Sequence, residues 1–280
     1  MIKLVCIDLD GTLLNNQKHI SKMDKQAVKR AVELGVHVTI FTGRSFGSAS
    51  HYLRELEIQI PAVFQNGALI IDPVSMKIYQ RIELDSKVAS HFVELCRLNG
   101  VYPAIYESFF AEKDILVEKP YEGAFAQYFQ LNSHRIRMVK DLLKVLEHRP
   151  SVVEIALVGK IEDVNKLTQQ VEESLRDVYT PIENQRKDGE TFVEIFGPNV
   201  GKERALEFFL KMYRVRPDEV MYIGDNLNDE SIMRMVGIAV AMQNAPDEIK
   251  RIATYVTDSN DECGVAKALE RFVLQERVYE

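Results

Sequence analysis

A chain of 280 residues with 35 Lys and Arg against 42 Asp and Glu carries a formal net charge of −7, which excludes a generally basic nucleic-acid coat, though not a local basic patch. Hydrophobic residues at 46% and charged residues at 28% exclude a disordered or fibrous chain and allow a sizeable core. The length exceeds that of one usual domain, so one large domain or a core with a second unit is expected.

In chain order, residues 2–7 (IKLVCI) read as a buried strand. Ser21 with Asp24 three positions on predicts a helix start, with Ala27, Val28, Ala31 and Val32 on one face and a stop near Gly35. A strand over 36–41, a helix over 45–56 and a short strand over 61–64 follow. This alternation is the signature of βαβ units around a parallel sheet. Between 83 and 189 the pattern changes to an inserted α+β unit, with helices over 86–98, 139–147 and 161–175 and strands near 101–106, 110–117 and 152–158. Aromatics crowd one part of it, from Tyr102 to Phe129, either as the insert's own core or as a surface facing a ligand. The first grammar then returns with a helix over 201–213, a strand over 219–223, a helix from 227, a strand over 237–241 and a last helix from about 262. The expected fold class is α/β: a Rossmann-like parallel sheet with helices on both faces, split as 1–82 and 190–280, around an inserted α+β domain over 83–189.

Cys6, Cys96 and Cys263 are far apart and odd in number, so neither a disulfide framework nor a zinc site is expected. The N-terminal apolar run is too short for a signal segment, and no run approaches about 20 apolar residues. A cytoplasmic protein without a membrane anchor or a nucleic-acid partner is expected, its oligomeric state open.

Chemistry concentrates where strands end. The first strand runs into Asp8-Leu9-Asp10-Gly11-Thr12, two carboxylates one residue apart at the place where open α/β sheets bind ligands. The second ends in Thr42-Gly43-Arg44, a hydroxyl and a flexible backbone suited to an anion. Lys202 follows Gly201 at a helix start, where free amides favour phosphate. The strand over 219–223 ends in a further acid cluster, Asp225 to Asp229. Taken together, Asp8, Asp10 and Asp225 would repel one another without a hard cation, and oxygen ligands suit Mg²⁺. A carboxylate nucleophile could then form an aspartyl-phosphate while its neighbour protonates the leaving oxygen.

DLDGTLL at 8–14, TGR at 42–44, Lys202 in GKERAL and GDNLNDESIM at 224–233 resemble, in order, the four motifs of the haloacid dehalogenase-like superfamily. The spacing, with VAMQNA and GVAKAL near the C-terminus, resembles its Cof-type branch (subfamily IIB), whose members insert a large C2-type α/β cap between the second and third motifs. The resemblance implies Asp8 as nucleophile and Mg²⁺ ligand, Asp10 as general acid/base that also binds Mg²⁺ through its carbonyl oxygen, and Asp225 as third metal anchor. It implies that the Leu9 and Gly43 amides, the Thr42 hydroxyl, Lys202 and Asn228 hold the phosphoryl group, with Asp229 and Arg44 in support. Asn66, in the QNG segment, matches an NGA segment of the branch and is expected at the entrance. Gln243 stands where relatives carry Gly, and Cys263 where an acid precedes GVA.

The expected activity is therefore a Mg²⁺-dependent phosphatase of small phosphate esters, sugar phosphates first. Arg186 and Lys187 are candidates for selectivity, against the reading of a solvated loop. Three rivals stand beside it. A phosphomutase would use the same four motifs. A sugar-phosphate sensor would keep the fold without needing Asp8 or Asp10. Gly43 to Gly47 also fits G-x-S-x-G, which would make Ser45 a hydrolase nucleophile, but no histidine follows His148 to complete a triad in the usual order. A P-loop at 197–203 is one residue short and carries Glu203 instead of Ser or Thr, and a calcium loop at Asp225 lacks its sixth-position Gly.

Overall fold

The computed structural model describes residues 1–171, 175 and 177–275. Two compact units are present, one of Met1–Gln80 with Gly201–Glu280 and one of Arg81–Val200.

The first unit is built on a parallel sheet. Its strands lie in the order Tyr255–Val256, Ile238–Ala241, Val220–Gly224, Leu4–Ile7 and His37–Ile40, all parallel. A parallel bridge between Phe41 and Val63 brings Ala62–Phe64 alongside. Numbered along the chain these six run 6-5-4-1-2-3, the Rossmann order read from its other edge. Leu4–Ile7 (LVCI) is buried at every position, as a central parallel strand covered on both faces must be, which is why it reads as a continuous apolar run. The topological switch point, where ligands bind in such sheets, falls between Leu4–Ile7 and Val220–Gly224, with Leu4 beside Val220 and Ile7 beside Ile223.

The helix Lys22–Glu33 begins as its cap predicts, Ser21 Oγ accepting the Asp24 amide at 3.0 Å. Its buried face is Ala27, Val28 and Ala31. Val32, expected on that face, is 48% exposed, because the buried stripe is narrower than four adjacent positions and Val32 falls at its margin. The helix Phe46–Glu55 follows Ser45, and Lys202–Tyr213 follows Gly201. The acidic segment after Val220–Gly224 forms a single 3₁₀ turn, Leu227–Asp229, before the short helix Glu230–Met233. The last helix, Gly264–Leu269, passes into a π-helical turn at Glu270–Leu274. Cys263, just before it, holds a left-handed φ of 60°. Gln243 is exposed.

The second unit has a six-stranded sheet in the order Thr180–Lys187, Glu190–Phe196, Glu154–Lys160, Tyr102–Tyr106, Ile115–Val117 and Ile136–Met138, antiparallel except for the last pair. The helices Ser86–Asn99, Leu142–Leu146 and Ile161–Gln169 contribute Phe92, Leu146 and Leu167 to a core shared with Ile105, Ile155 and Ile195 of the sheet. The helix expected over 161–175 ends earlier, and its positions 172–174 lie outside the described residues. Residues 190–200 were expected in the first unit. They belong to the second, because Glu190–Phe196 pairs along its whole length with Glu154–Lys160 and Thr180–Lys187.

Tyr102, Tyr121 and Phe129 pack on one another, and Phe125 and Phe129 on Phe192, with Tyr102 to Tyr121 at 4.9 Å and Phe125 to Phe192 at 5.6 Å. The aromatic run is thus this unit's own packing, with Phe110 left 43% exposed. Arg186 and Lys187 end an edge strand, exposed, with Arg186 paired to Glu183 at 2.6 Å. Among the described residues no helix is long and apolar enough to cross a membrane.

Candidate active site

The strand ladder ends at Asp8, whose amide donates to Ile223 O at 3.0 Å. The chain then turns back on itself through Gly11, with Leu14 N donating to Leu9 O at 2.8 Å. Only glycine serves at position 11: its φ is +76°, and a Cβ there would lie 2.2 Å from Asp225 Oδ2. The turn therefore brings its backbone against the acid from the neighbouring strand, and Thr12 Oγ1 donates to Asp225 Oδ1 at 2.8 Å.

Lys202, the first residue of its helix, extends into this gap and is 1% exposed. Its ammonium donates to Asp8 Oδ1 at 2.7 Å, Asp229 Oδ1 at 2.6 Å and the Tyr222 hydroxyl at 3.1 Å. These use all three of its N–H groups and fix its position. Asp229 is in turn held by the amides of Asp225 and Asn226 on Oδ2, at 2.9 and 3.0 Å, and by the Tyr222 hydroxyl on Oδ1 at 2.5 Å. A capping turn after the strand thus supplies a rigid counter-charge to Lys202.

Carboxylate oxygens of Asp8, Asp225 and Asp229 lie within 4.8 Å of one another. Burial pushes Asp8 up to about 7, the Lys202 ammonium pulling against it and Asp229 adding to it. Burial, then Asp8 and Asp229, hold Asp225 well above the usual carboxylate range. Burial disfavours the Lys202 ammonium, but Asp229 and Asp8 outweigh it and raise its pKa. Three acids against one cation leave excess negative charge in a buried site, and hard oxygen donors at this spacing fit a divalent ion.

The expected carboxylate set included Asp10, but its place beside Asp8 and Asp225 is taken by Asp229. The Asp10 side chain turns elsewhere: Arg44 donates to it through Nε at 2.5 Å and Nη2 at 2.7 Å, and Lys18 Nζ at 2.7 Å. Burial would raise the Asp10 carboxyl, yet Arg44 and then Lys18 outweigh it and hold it at about 2. The Asp10 carboxylate is thereby held away from the Asp8, Asp225 and Asp229 cluster. Lys18 is itself held by its carbonyl, which accepts from the Tyr52 hydroxyl at 3.0 Å, and the Tyr52 ring lies 5.4 Å from the Arg44 guanidinium carbon.

The other expected residues form a second group in the same unit. Thr42 is buried, its hydroxyl accepting the Arg44 amide at 3.0 Å. Asn228 Nδ2 donates to Asn66 Oδ1 at 2.9 Å, and Asn66 lies against Gly43. Leu9 is fully buried. Asn66 is also fully buried and lines no entrance, contrary to expectation. Ser45 stands at the N-cap position of its helix at an unstrained φ of −68°, without a side-chain capping bond, and donates to Ser48 Oγ at 3.1 Å. Among the described residues no histidine is hydrogen-bonded to it, so the nucleophile-elbow geometry is missing.

Sequence reasoning missed Tyr222, Thr12, Lys18 and Asn244, whose side chain donates to Gly11 O at 2.8 Å. Tyr222 left a usable signal, because a hydroxyl inside the run VMYI must find a polar partner when the strand is buried. Lys18 left none, since its contact depends on how the loop after Asp10 folds.

A family model described as haloacid dehalogenase-like hydrolase matches residues 5–269. The 5-amino-6-(5-phospho-D-ribitylamino)uracil phosphatase YwtE of Bacillus subtilis is 30% identical over 292 residues, covering 97% of this chain and 98% of that one. The phosphatase YcsE of the same organism, named for the same substrate, is 29% identical over 98% of this chain and 96% of its own. The crystal structure of a haloacid dehalogenase-like hydrolase from Bacteroides thetaiotaomicron superposes with a TM-score of 0.78 at 28% identity, covering 97% of this chain and 99% of that one. With the Rossmann strand order and a buried Asp8–Lys202–Asp229 cluster at its switch point, these likenesses place the chain among the haloacid dehalogenase-like hydrolases, in their Cof-type branch, as a phosphatase of that superfamily.

Proposed function

We propose that the chain is a Mg²⁺-dependent phosphomonoester phosphatase acting on small phosphorylated metabolites, sugar or polyol phosphates first, through an aspartyl-phosphate on Asp8. The observation that carries this reading is the Asp8–Lys202 pair at 2.7 Å, set among carboxylates at the sheet's switch point. Asp8 and Asp225 would hold the ion through their carboxylates and Asp10 through its carbonyl, with Asp229 supporting them through Lys202. A divalent ion bound there would offset the repulsion among these acids and the charge of the arriving phosphate.

Lys202 fixes Asp8 Oδ1, leaving Oδ2 as the attacking oxygen. As the bond from Oδ2 to phosphorus forms, the ester P–O bond breaks and its electron pair stays on the leaving oxygen, which takes a proton from Asp10. Asp10 then accepts a proton from water, whose oxygen attacks phosphorus. The P–O bond to Asp8 breaks and inorganic phosphate leaves. Asp10 can do this only after leaving Arg44 and Lys18, since a carboxylate held by two cations carries no proton to give. Asn228, the Thr42 hydroxyl and the Leu9 and Gly43 amides are the groups assigned to the phosphoryl oxygens, and Lys202 would join them by exchanging its longest bond, the one to the Tyr222 hydroxyl at 3.1 Å.

The relative at 30% identity, named for a substrate phosphorylated on a ribityl chain, supports this substrate class. In the same reading Arg81–Val200 is the family's inserted cap, and three free cysteines suit a reducing cytoplasm. Phosphate release from a panel of sugar, polyol and nucleotide monoesters, with and without Mg²⁺, tests the reading. Release that requires Mg²⁺ and survives Ser45→Ala within about twofold is expected, because the Ser45 hydroxyl bonds only to Ser48 beside it. No release from any ester sinks the phosphatase, and an isomerised product identifies a mutase.

Metal-free stability should depend on pH with a definite sign. In the unfolded chain Asp8 gives up its proton near its ordinary value of 3.8, whereas in the folded protein it keeps it to about 7. Between these values the folded state holds more protons, so stability present below the lower value is lost as pH rises through the upper one. Asp225 shifts in the same direction. Asp10, held at about 2, acts oppositely and only at lower pH. In chelator the melting temperature should fall between about pH 5 and pH 8, and Mg²⁺ should raise it more at the higher pH. An equal Mg²⁺ shift at both would contradict a site made of these carboxylates.

A further inference from the structure

We propose that Asn66 is a positioning residue that sets Asn228 and the Gly43 backbone for the phosphoryl group, from a turn held in left-handed conformation for that purpose. The proposal rests on the phosphatase reading above, in which Asn228 and Gly43 meet the phosphate. Gln65, Asn66 and Gly67 have consecutive φ values of 45°, 54° and 107°. Two successive non-glycine residues in this region are uncommon and persist only where surrounding contacts force them.

Those contacts lead to the phosphate-holding segments. The Gln65 amide donates to Arg44 O at 3.0 Å and the Asn66 amide to Thr42 O at 3.1 Å, so the turn is tied to both ends of Thr42-Gly43-Arg44. On its other side a Cβ at Gly67 would lie 2.6 Å from Gly201 O, directly before Lys202. Gln80 Nε2 donates to Gly67 O at 2.6 Å and closes the turn from a third direction. One three-residue turn thus abuts the second motif and the third, and its middle side chain reaches the fourth.

Asn66 is fully buried, and its Oδ1 accepts from Asn228 Nδ2 at 2.9 Å. Because the amide group is planar, fixing one N–H of Asn228 fixes the direction of the other. The same carboxamide lies 3.3 Å from the position a Cβ would take at Gly43, so it fills the space that residue leaves and limits where the Gly43 amide can point. The pairing of Ala62–Phe64 with Leu69–Ile71 needs a turn here, but not a buried carboxamide. Asparagine supplies both, since it tolerates left-handed φ better than other non-glycine residues.

Asn66→Gly separates the two contributions, because glycine keeps the left-handed turn without strain and deletes only the carboxamide. Inorganic phosphate binding by calorimetry in Mg²⁺, kcat and KM on p-nitrophenyl phosphate, and Tm are measured for the parent, Asn66→Gly, Asn228→Ala and the double variant. The expected result is phosphate affinity about 10-fold weaker in each single variant, the size of one lost hydrogen bond to a charged group, with Asn66→Gly melting close to the parent. The double variant should bind no more weakly than either single one, because the two act as a unit. Should Asn66→Gly fail to fold, Asn66→Ser, whose hydroxyl falls short of Asn228, is read in its place. Parent-like phosphate affinity in the position-66 variant, or additive losses in the double, would overturn the proposal. A parent that neither binds phosphate nor hydrolyses esters would overturn the phosphatase reading instead.

Discussion

Asp8→Asn is expected to lower phosphate release by about 10⁴-fold or more, the scale of removing a nucleophile, while making the metal-free protein more stable near pH 8. The two effects have one cause. Asp8 is 6% exposed and lies among Asp225 and Asp229, so its charged form is disfavoured by burial and repulsion and its carboxyl rises to about 7. An amide of the same shape removes the charge that the fold disfavours, and its oxygen can still accept from Lys202. It cannot attack phosphorus, so catalysis is lost where stability is gained, as at many sites kept charged for function. The gain should shrink near pH 5, where the parent's own carboxyl is already protonated, and the Tm increase given by Mg²⁺ should fall. Phosphate release and melting in chelator at both pH values check this. Turnover within tenfold of the parent, or a lower Tm near pH 8, would show that Asp8 is not the strained nucleophile proposed.

How much of this was legible depended on whether local chemistry or long-range pairing decides the outcome. The parallel strands were readable because burial on both faces leaves uninterrupted apolar runs such as LVCI and IAVA. The clustering of Asp8 and Asp225 followed from strand-end placement in an open α/β sheet, and that of Lys202 from its place at a helix start. Thr180–Lys187 (TPIENQRK) was invisible, since a polar edge strand shows no alternation. Without it, its partner Glu190–Phe196 reads as part of the first unit. A signal did exist in Asp188-Gly189, with φ values of 49° and 80°, which is a two-residue hairpin turn. The direction of the Asp10 side chain was not readable. Two acids one residue apart at a strand end suggest adjacency, but Gly11 turns the chain and Arg44 and Lys18 draw Asp10 away. The reach of Asp229 was hidden for a related reason, since a 3₁₀ turn rather than a full helix folds it back under the Asp225 amide.

Lys202→Met should be the most destabilising single change in the site. The replacement matches the stem in length and is apolar, so packing around the side chain is largely kept and the charge is what disappears. Asp8 and Asp229 then face each other across the vacated ammonium, both buried, with Asp225 close by. Breaking a buried ion pair by removing one partner costs about 3–5 kcal/mol, because the remaining charge stays out of water. For a chain of this size that corresponds to roughly 10 °C in melting temperature. The loss should be largest near pH 8 and smaller near pH 5, where Asp8 carries a proton and needs no counter-charge. Adding Asp8→Asn to Lys202→Met should recover part of the stability, a non-additivity expected of groups in one network, but no activity. Mg²⁺ should raise the Tm of Lys202→Met more than that of the parent, since more negative charge is left for the ion to offset. Melting within about 1 °C of the parent near pH 8 would mean that Lys202 is not the counter-charge on which this carboxylate site depends.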